Sequence, residues 1–163
     1  MLVHQKYTGF QLAILVLTRI LIGWYFLYEG IVKLLNPDWS SLGYLLDSKG
    51  FMEDFFISLA TNTSVVSIID MINIWGLIAI GLGLILGLFT RIASISGIVL
   101  LCLYYLSHPA FIGAEYALPS EGNYLWINKT ILEISLLLII TIFPTGRIIG
   151  IDRFFTKQTT AKE

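Results

Sequence analysis

The sequence predicts an all-α polytopic membrane protein, a four-transmembrane-helix bundle with an amphipathic outer-face connection between helices 1 and 2. Three observations carry this. Of 163 residues, 56% are hydrophobic and only 13% are charged, about half the charge of an ordinary soluble domain. Four apolar runs, at about 10–35, 65–89, 92–107 and 124–143, approach or exceed the ~20 residues that cross a hydrocarbon core. The segment between the first two runs, 36–64, is too charged and too broken to span.

The elements follow in order. A short polar tail precedes the first helix, which Asn36 and Pro37 stop, because proline disfavours helix at the residue before it. That run is too long for a signal peptide and has no small-residue cleavage site behind it, so it reads as a retained anchor. In the connection, Trp39, Tyr44, Phe51, Phe55 and Phe56 alternate with Asp47, Lys49, Glu53 and Asp54, the pattern of short helices lying at an interface. The second helix carries Gly76, Gly83 and Gly87 at spacings of seven and four, a smooth stripe for a close neighbour, with Gly81 off it. Thr90 and Arg91 turn tightly into the third helix, which closes at Tyr104, Tyr105, His108 and Pro109. The fourth ends at Pro144 and leads into a tail, 144–163. The whole of 1–163 reads as one domain.

Orientation comes from the lysines and arginines. Of ten in all, Lys6, Arg91, Arg147, Arg153, Lys157 and Lys162 lie on the side of both termini and the 90–91 turn. Lys49 alone lies with the long connections, and Arg19, Lys33 and Lys129 lie within helices. The expectation is a multi-pass protein of the cell (inner) membrane with both termini cytoplasmic.

This topology brings polar residues of four helices to one depth, in the outer half of the bilayer. The first helix contributes Glu29 and Lys33, the second Asp70 and Asn73, the third Tyr104, Tyr105 and His108, the fourth Asn128, Lys129 and Glu133. Glu29 with Lys33, and Lys129 with Glu133, each stand four apart on one helix face. Charges at such depth usually face a protein interior or a wet cavity. A polar cavity open to the outer face and roofed by Trp39 and Tyr44 is therefore expected. Plainer readings stand beside it. Both charge pairs could simply hold the bundle's register; Trp24, Tyr28, Trp75 and Trp126 could be interface aromatics; His108 could be a helix-end residue. Arg19 has no partner within its own helix.

Composition excludes several chemistries. A single cysteine, Cys102, allows no disulfide framework or CxxC pair. His4 and His108 are the only histidines, so no histidine-rich metal site is available. A net charge of −1 gives no reason to expect nucleic acid. Neither metal, haem nor flavin is expected on this chain.

Arg19, Gly23, Phe26, Gly30 and Lys33, then Trp75, Gly76, Gly81, Gly87, Thr90 and Arg91, then Asn128, Lys129 and Glu133 with Gly150, Asp152 and Arg153, form an ordered set. That set resembles the DoxX/DoxD-like membrane proteins over about Thr18 to Phe154. Pro37, Trp39, Ser40, Gly43 and Tyr44 in the connection resemble the DoxD branch, the small subunit of thiosulfate:quinone oxidoreductase. The resemblance implies a membrane subunit in sulfur- or quinone-linked redox chemistry, with quinone as a substrate and with a second oxidoreductase subunit or a homo-oligomer as partner, besides the lipid bilayer. On that reading Glu29, Lys33, Lys129 and Glu133 are the catalytic candidates. Arg19, Trp24, Tyr28, Asn73, Tyr104, Tyr105, His108 and Asn128 are the candidates for binding substrate or quinone. The alternative is a non-enzymatic assembly factor or scaffold that docks a partner protein. A small-solute transporter would also use buried charges, but no inverted repeat or broken helix supports it.

Overall fold

A computed structural model describes residues 7–110, 116–117 and 125–155. Every regular element among them is helical: α1 (Gly9–Leu35), α2 (Leu42–Leu46), α3 (Glu53–Ala60), α4 (Thr63–Leu86), α5 (Thr90–Ser107), α6 (Lys129–Ile142) and α7 (Asp152–Phe155), with a 3-10 turn at Thr145–Arg147. α1, α4 and α5 are long and apolar enough to cross a bilayer. α6 is apolar but has 14 residues, about 21 Å of helix.

Local signals set the ends. At α1, Thr8 and Gln11 form a reciprocal capping box, satisfying two backbone donors that a helix start leaves open. Asn62 caps α4 and Asn128 caps α6. α4 ends at Gly87, whose φ of 65° suits glycine, and Leu88 N–H reaches back to the Gly83 carbonyl. The fourth helix starts later than expected from about Tyr124. Leu125 and Trp126 take positive φ, which a helix cannot contain, and Asn128 begins the helix instead.

Four helices pack as an antiparallel ring, α1 chiefly on α4 and α5 chiefly on α6, with α4–α5 and α1–α6 contacts closing it. The glycine expectation holds at Gly83, where a Cβ would stand 3.1 Å from Ala93 Cβ of α5, and at Gly87, 2.8 Å from Gly150 Cα, but not at the α1–α4 seam. A Cβ at Gly81, the residue off the stripe, would sit 2.5 Å from the Leu27 backbone nitrogen, whereas one at Gly76 would meet nothing within 4 Å. Gly23 faces Leu84 and Ile85, and Gly30 faces Leu77 and Ile78. Close approach thus comes from Gly23 and Gly30 on α1 meeting the Gly81 side of α4. The core they surround holds Ile22, Phe26, Leu77, Ile80, Leu84, Leu101, Leu137 and Ile140, with Phe26 wholly enclosed. Ile14, Leu21, Ile68, Met71, Ile92 and Val99 are exposed on the outer faces. An apolar exterior over that length of helix needs lipid, and this is a membrane protein.

At one end lies the connection, α2 and α3, pinned to α4 by Asp70. Its carboxylate accepts from Ser40 Oγ (2.9 Å) and Ser41 N–H (2.8 Å). At the other, the turn end, Asp152 accepts from Phe89 N–H (2.7 Å), Thr90 N–H (3.0 Å) and Thr90 Oγ1 (2.9 Å). Asp152 thereby caps α5 from a remote part of the chain.

Candidate functional site

α1 runs toward the connection end and presents Tyr25, Glu29 and Lys33 at successive four-residue steps, so their side chains stack along one face. Lys33 Nζ donates to Glu29 Oε2 at 2.8 Å and lies 5.6 Å from the Trp39 ring centroid, held between a carboxylate and an aromatic face from the connection. On the neighbouring helix, α6 opens with Lys129, whose Nζ sits 4.5 Å from the centre of the Tyr25 ring. One turn on, Glu133 is 7% exposed. The charges of Glu133, Lys129 and Glu29 all act on the Tyr25 hydroxyl. Glu29, Lys129 and Glu133 therefore gather around one tyrosine, and Lys33 joins them through Glu29.

α4 and α5 complete the group. Asn73 Nδ2 donates to Tyr104 Oη at 2.6 Å, and Tyr104 feels the charge of Glu29. Between this pair and the connection opens a cavity of about 400 Å³ lined by Lys33, Asn36, Asp38, Trp39, Ser40, Ser41, Gly43, Tyr44, Asn73 and Tyr104. Lys33 reaches into it, with Asn73 and Tyr104 at its floor and Trp39 and Tyr44 in its roof.

His108 belongs to the roof. Its ring stacks on Tyr44 at 3.9 Å between centroids, its Nδ1 lies 3.0 Å from Ser107 Oγ, and its Nε2 lies 3.7 Å from Asp47 Oδ2. Burial holds the imidazole below its ordinary value, although the Asp47 carboxylate pulls it back up. Burial also raises the Tyr44 and Tyr116 phenols. These groups stay neutral around pH 7.

Several expected members stand elsewhere. Arg19 is 2% exposed and lies at the turn end, donating from Nη1 to Thr145 Oγ1 at 3.0 Å, ten residues, or about 15 Å, down the helix from Glu29. Trp24 and Tyr28 are on the outer face of α1, both more than half exposed; the tyrosine turned toward the charges is Tyr25. Tyr105 donates to the Trp126 carbonyl at 2.9 Å, outside the cavity. Asn128 spends its side chain on capping α6, accepting from Ile131 N–H at 3.2 Å. The site therefore keeps Glu29, Lys33, Asn73, Tyr104, Lys129 and Glu133, with His108 in the roof. The sequence reading passed over Tyr25, although it extends the Glu29–Lys33 stripe by one more step of four. Nothing in spacing pointed to Ser41 or Asp47. Among the described residues, no three His, Cys, Asp or Glu side chains gather as a metal site.

The fold and this interior define a class: helical-bundle membrane proteins with a charged, hydrogen-bonded cluster between the helices at one end. Within that class the chain belongs to the DoxX family, whose profile matches residues 14–109, more than half of the chain. The match takes in α1, the connection, α4 and α5. No curated protein and no solved structure matches the chain.

Proposed function

We propose that this protein is the membrane-embedded subunit of a sulfur- and quinone-linked oxidoreductase of the thiosulfate:quinone type, with its site in the cavity under the connection. The observation that carries the reading is the gathering of Glu29, Lys129 and Glu133 around Tyr25, with Lys33 joined to Glu29 and lining the cavity beside them. The DoxX family membership supports it, and the DoxD-like residues of the connection give it direction. In this reading the chain crosses the inner membrane four times, residues beside α6 completing the fourth crossing. The cavity faces outward and both termini lie in the cytoplasm, as the lysine and arginine distribution favours.

The chemistry asks for an anion site next to a proton donor. Two thiosulfate ions that join through a new S–S bond release two electrons, and a quinone taking them up needs two protons to become the quinol. Lys33 offsets the anion's charge at the cavity, and Lys129 does the same deeper in. Glu29 and Glu133, with the Tyr25 hydroxyl between them, relay protons toward the quinone at the cavity. Reactants held side by side need the protein for position and electrostatics. A second subunit would bring further redox groups.

The test is thiosulfate-dependent quinone reduction in proteoliposomes. Lys33→Met and Lys129→Met should each lower turnover about 10²-fold, the usual loss when one charge-stabilising group goes, with membrane insertion intact. Undiminished turnover in both variants would sink the assignment. A protein that binds a partner tightly and never turns over would instead leave a scaffold.

A further inference from the structure

Beside the polar cavity lies a second, of about 260 Å³, walled by Phe55, Phe56 and Leu59 of α3, Ile72 of α4, and Leu100 and Leu103 of α5. Ser41, Tyr44, Asn73 and Tyr104 line both cavities, so they form the partition between a polar chamber and an apolar one. Phe55, Ile72 and Leu103 are exposed at the protein surface. The apolar chamber therefore opens sideways, toward lipid, while exposed Asn36, Asp38 and Ser40 rim the polar one.

Two polar atoms at the partition have no hydrogen-bond partner among the described residues, Ser41 Oγ and Asn73 Oδ1, and both residues are more than nine-tenths buried. Turning the Asn73 amide over would only exchange an orphaned oxygen for an orphaned nitrogen. The two residues are neighbours, since Asp70, one turn from Asn73 on α4, holds the Ser41 backbone. A buried polar atom without a partner costs about 1–3 kcal/mol, and such atoms in native proteins call for an explanation.

We propose that the partition binds a single-chain amphiphile arriving from the bilayer. Its small uncharged head carries a hydroxyl that hydrogen-bonds Asn73 and Ser41, and its chain lies in the apolar chamber. An uncharged head fits because Lys33, the cation lining the polar chamber, is already matched by Glu29 at 2.8 Å. The proposal deepens the oxidoreductase reading, resting on it only for a quinol as the natural head, and it holds whether or not electrons move there.

The probe is decyl hydroquinone with a diazirine at its chain end, added to the full chain in lipid bilayers, irradiated, and mapped by peptide mass spectrometry. Label is expected to concentrate at residues 55–59 and 100–103. Ser41→Ala, which removes an oxygen that bonds to none of the described residues, should lower it about tenfold, the effect of one hydrogen bond of ~1.4 kcal/mol. Leu103→Trp, which fills the chamber, should abolish it. Unlabelled decyl hydroquinone should compete and dodecylphosphocholine, a charged-head amphiphile, should not. Label spread evenly onto α6 at Leu136 and Ile139, label unchanged by both variants, or equal competition by the phosphocholine would each overturn the proposal. Focused labelling without thiosulfate turnover would uphold this site and remove the redox reading; turnover without focused labelling would do the reverse.

Discussion

Asp152 shows how one side chain ties distant parts of this chain together. Phe89 sits at φ 47°, a conformation costly for a residue with a Cβ, and the Asp152 carboxylate holds that turn by two backbone bonds and one hydroxyl bond. Its charge also acts on buried Arg19, whose side-chain hydrogen bond among the described residues goes to neutral Thr145. Asp152→Ala should therefore destabilise the bundle by at least about 2 kcal/mol, a lost cap plus lost satisfaction of buried donors. Arg19→Met added to it should recover part of that loss. Unfolding titrations in detergent read both, and an Asp152→Ala protein as stable as its parent refutes the account. His108 gives a pH dependence. Its burial depresses the imidazole's proton affinity below the ordinary 6.5, so the unfolded or undocked state binds the proton better. The stability it lends is fully present above about pH 6.5 and falls as pH drops through the depressed value. Trp39 fluorescence or backbone exchange in the connection should report loosening below about pH 6, and His108→Phe should flatten that profile. A connection equally protected at pH 5 and pH 8 counts against the role.

At the scale of elements, the α1–α4 seam depends on which glycine faces it. Gly81→Ala would drive a methyl into the Leu27 backbone and should cost about 1–3 kcal/mol, the range for overpacking. Gly76→Ala meets open space and should be neutral within about 0.5 kcal/mol, the range of surface changes. Equal effects in the two variants would show the seam to be wrongly assigned. The sequence made helix limits largely readable, since Asn36–Pro37, the Gly87 stop and the Thr90–Arg91 turn are local signals. The seam was less readable. A stripe drawn from α4 alone favours Gly76, whereas the packed face is chosen by what α1 offers, Gly23 and Gly30. The late start of α6 was hidden for a related reason, because an apolar Leu125 and Trp126 look helical until their backbone turns left-handed.

Over the whole molecule, the site was legible as a level and not as a list. Counting residues from each helix end put Glu29, Asn73, Tyr104, Lys129 and Glu133 at one height, and they meet there. Height says nothing of azimuth, so the binding candidates Trp24 and Tyr28 face outward, and the candidate Arg19 lies at a lower level. The partition residue Ser41 was out of reach altogether, because its place depends on Asp70 drawing the connection over α4. The proposed orientation has its own check. In a protein with Cys102 replaced by serine, a cysteine at Asp38 should react with a membrane-impermeant maleimide in intact cells, and one at Ile149 only after the membrane is opened. The opposite pattern would invert the topology.

The unequal helices also bear on the membrane itself. α1 has 27 residues and α6 has 14, about 40 Å against 21 Å of helix. A bilayer thick enough for the first overhangs the second, and the lipid beside α6 must thin locally or give way to protein. Where α6 itself faces lipid the sheet would deform on that flank, and where neighbouring residues complete the crossing it would stay relaxed. With the sheet thinned there, two copies that put their α6 flanks together would share a single thinned patch, a bias toward pairing, and dimer formation is the outcome that would test it. Longer acyl chains steepen that bias, and dimer fraction measured against lipid chain length should rise with it.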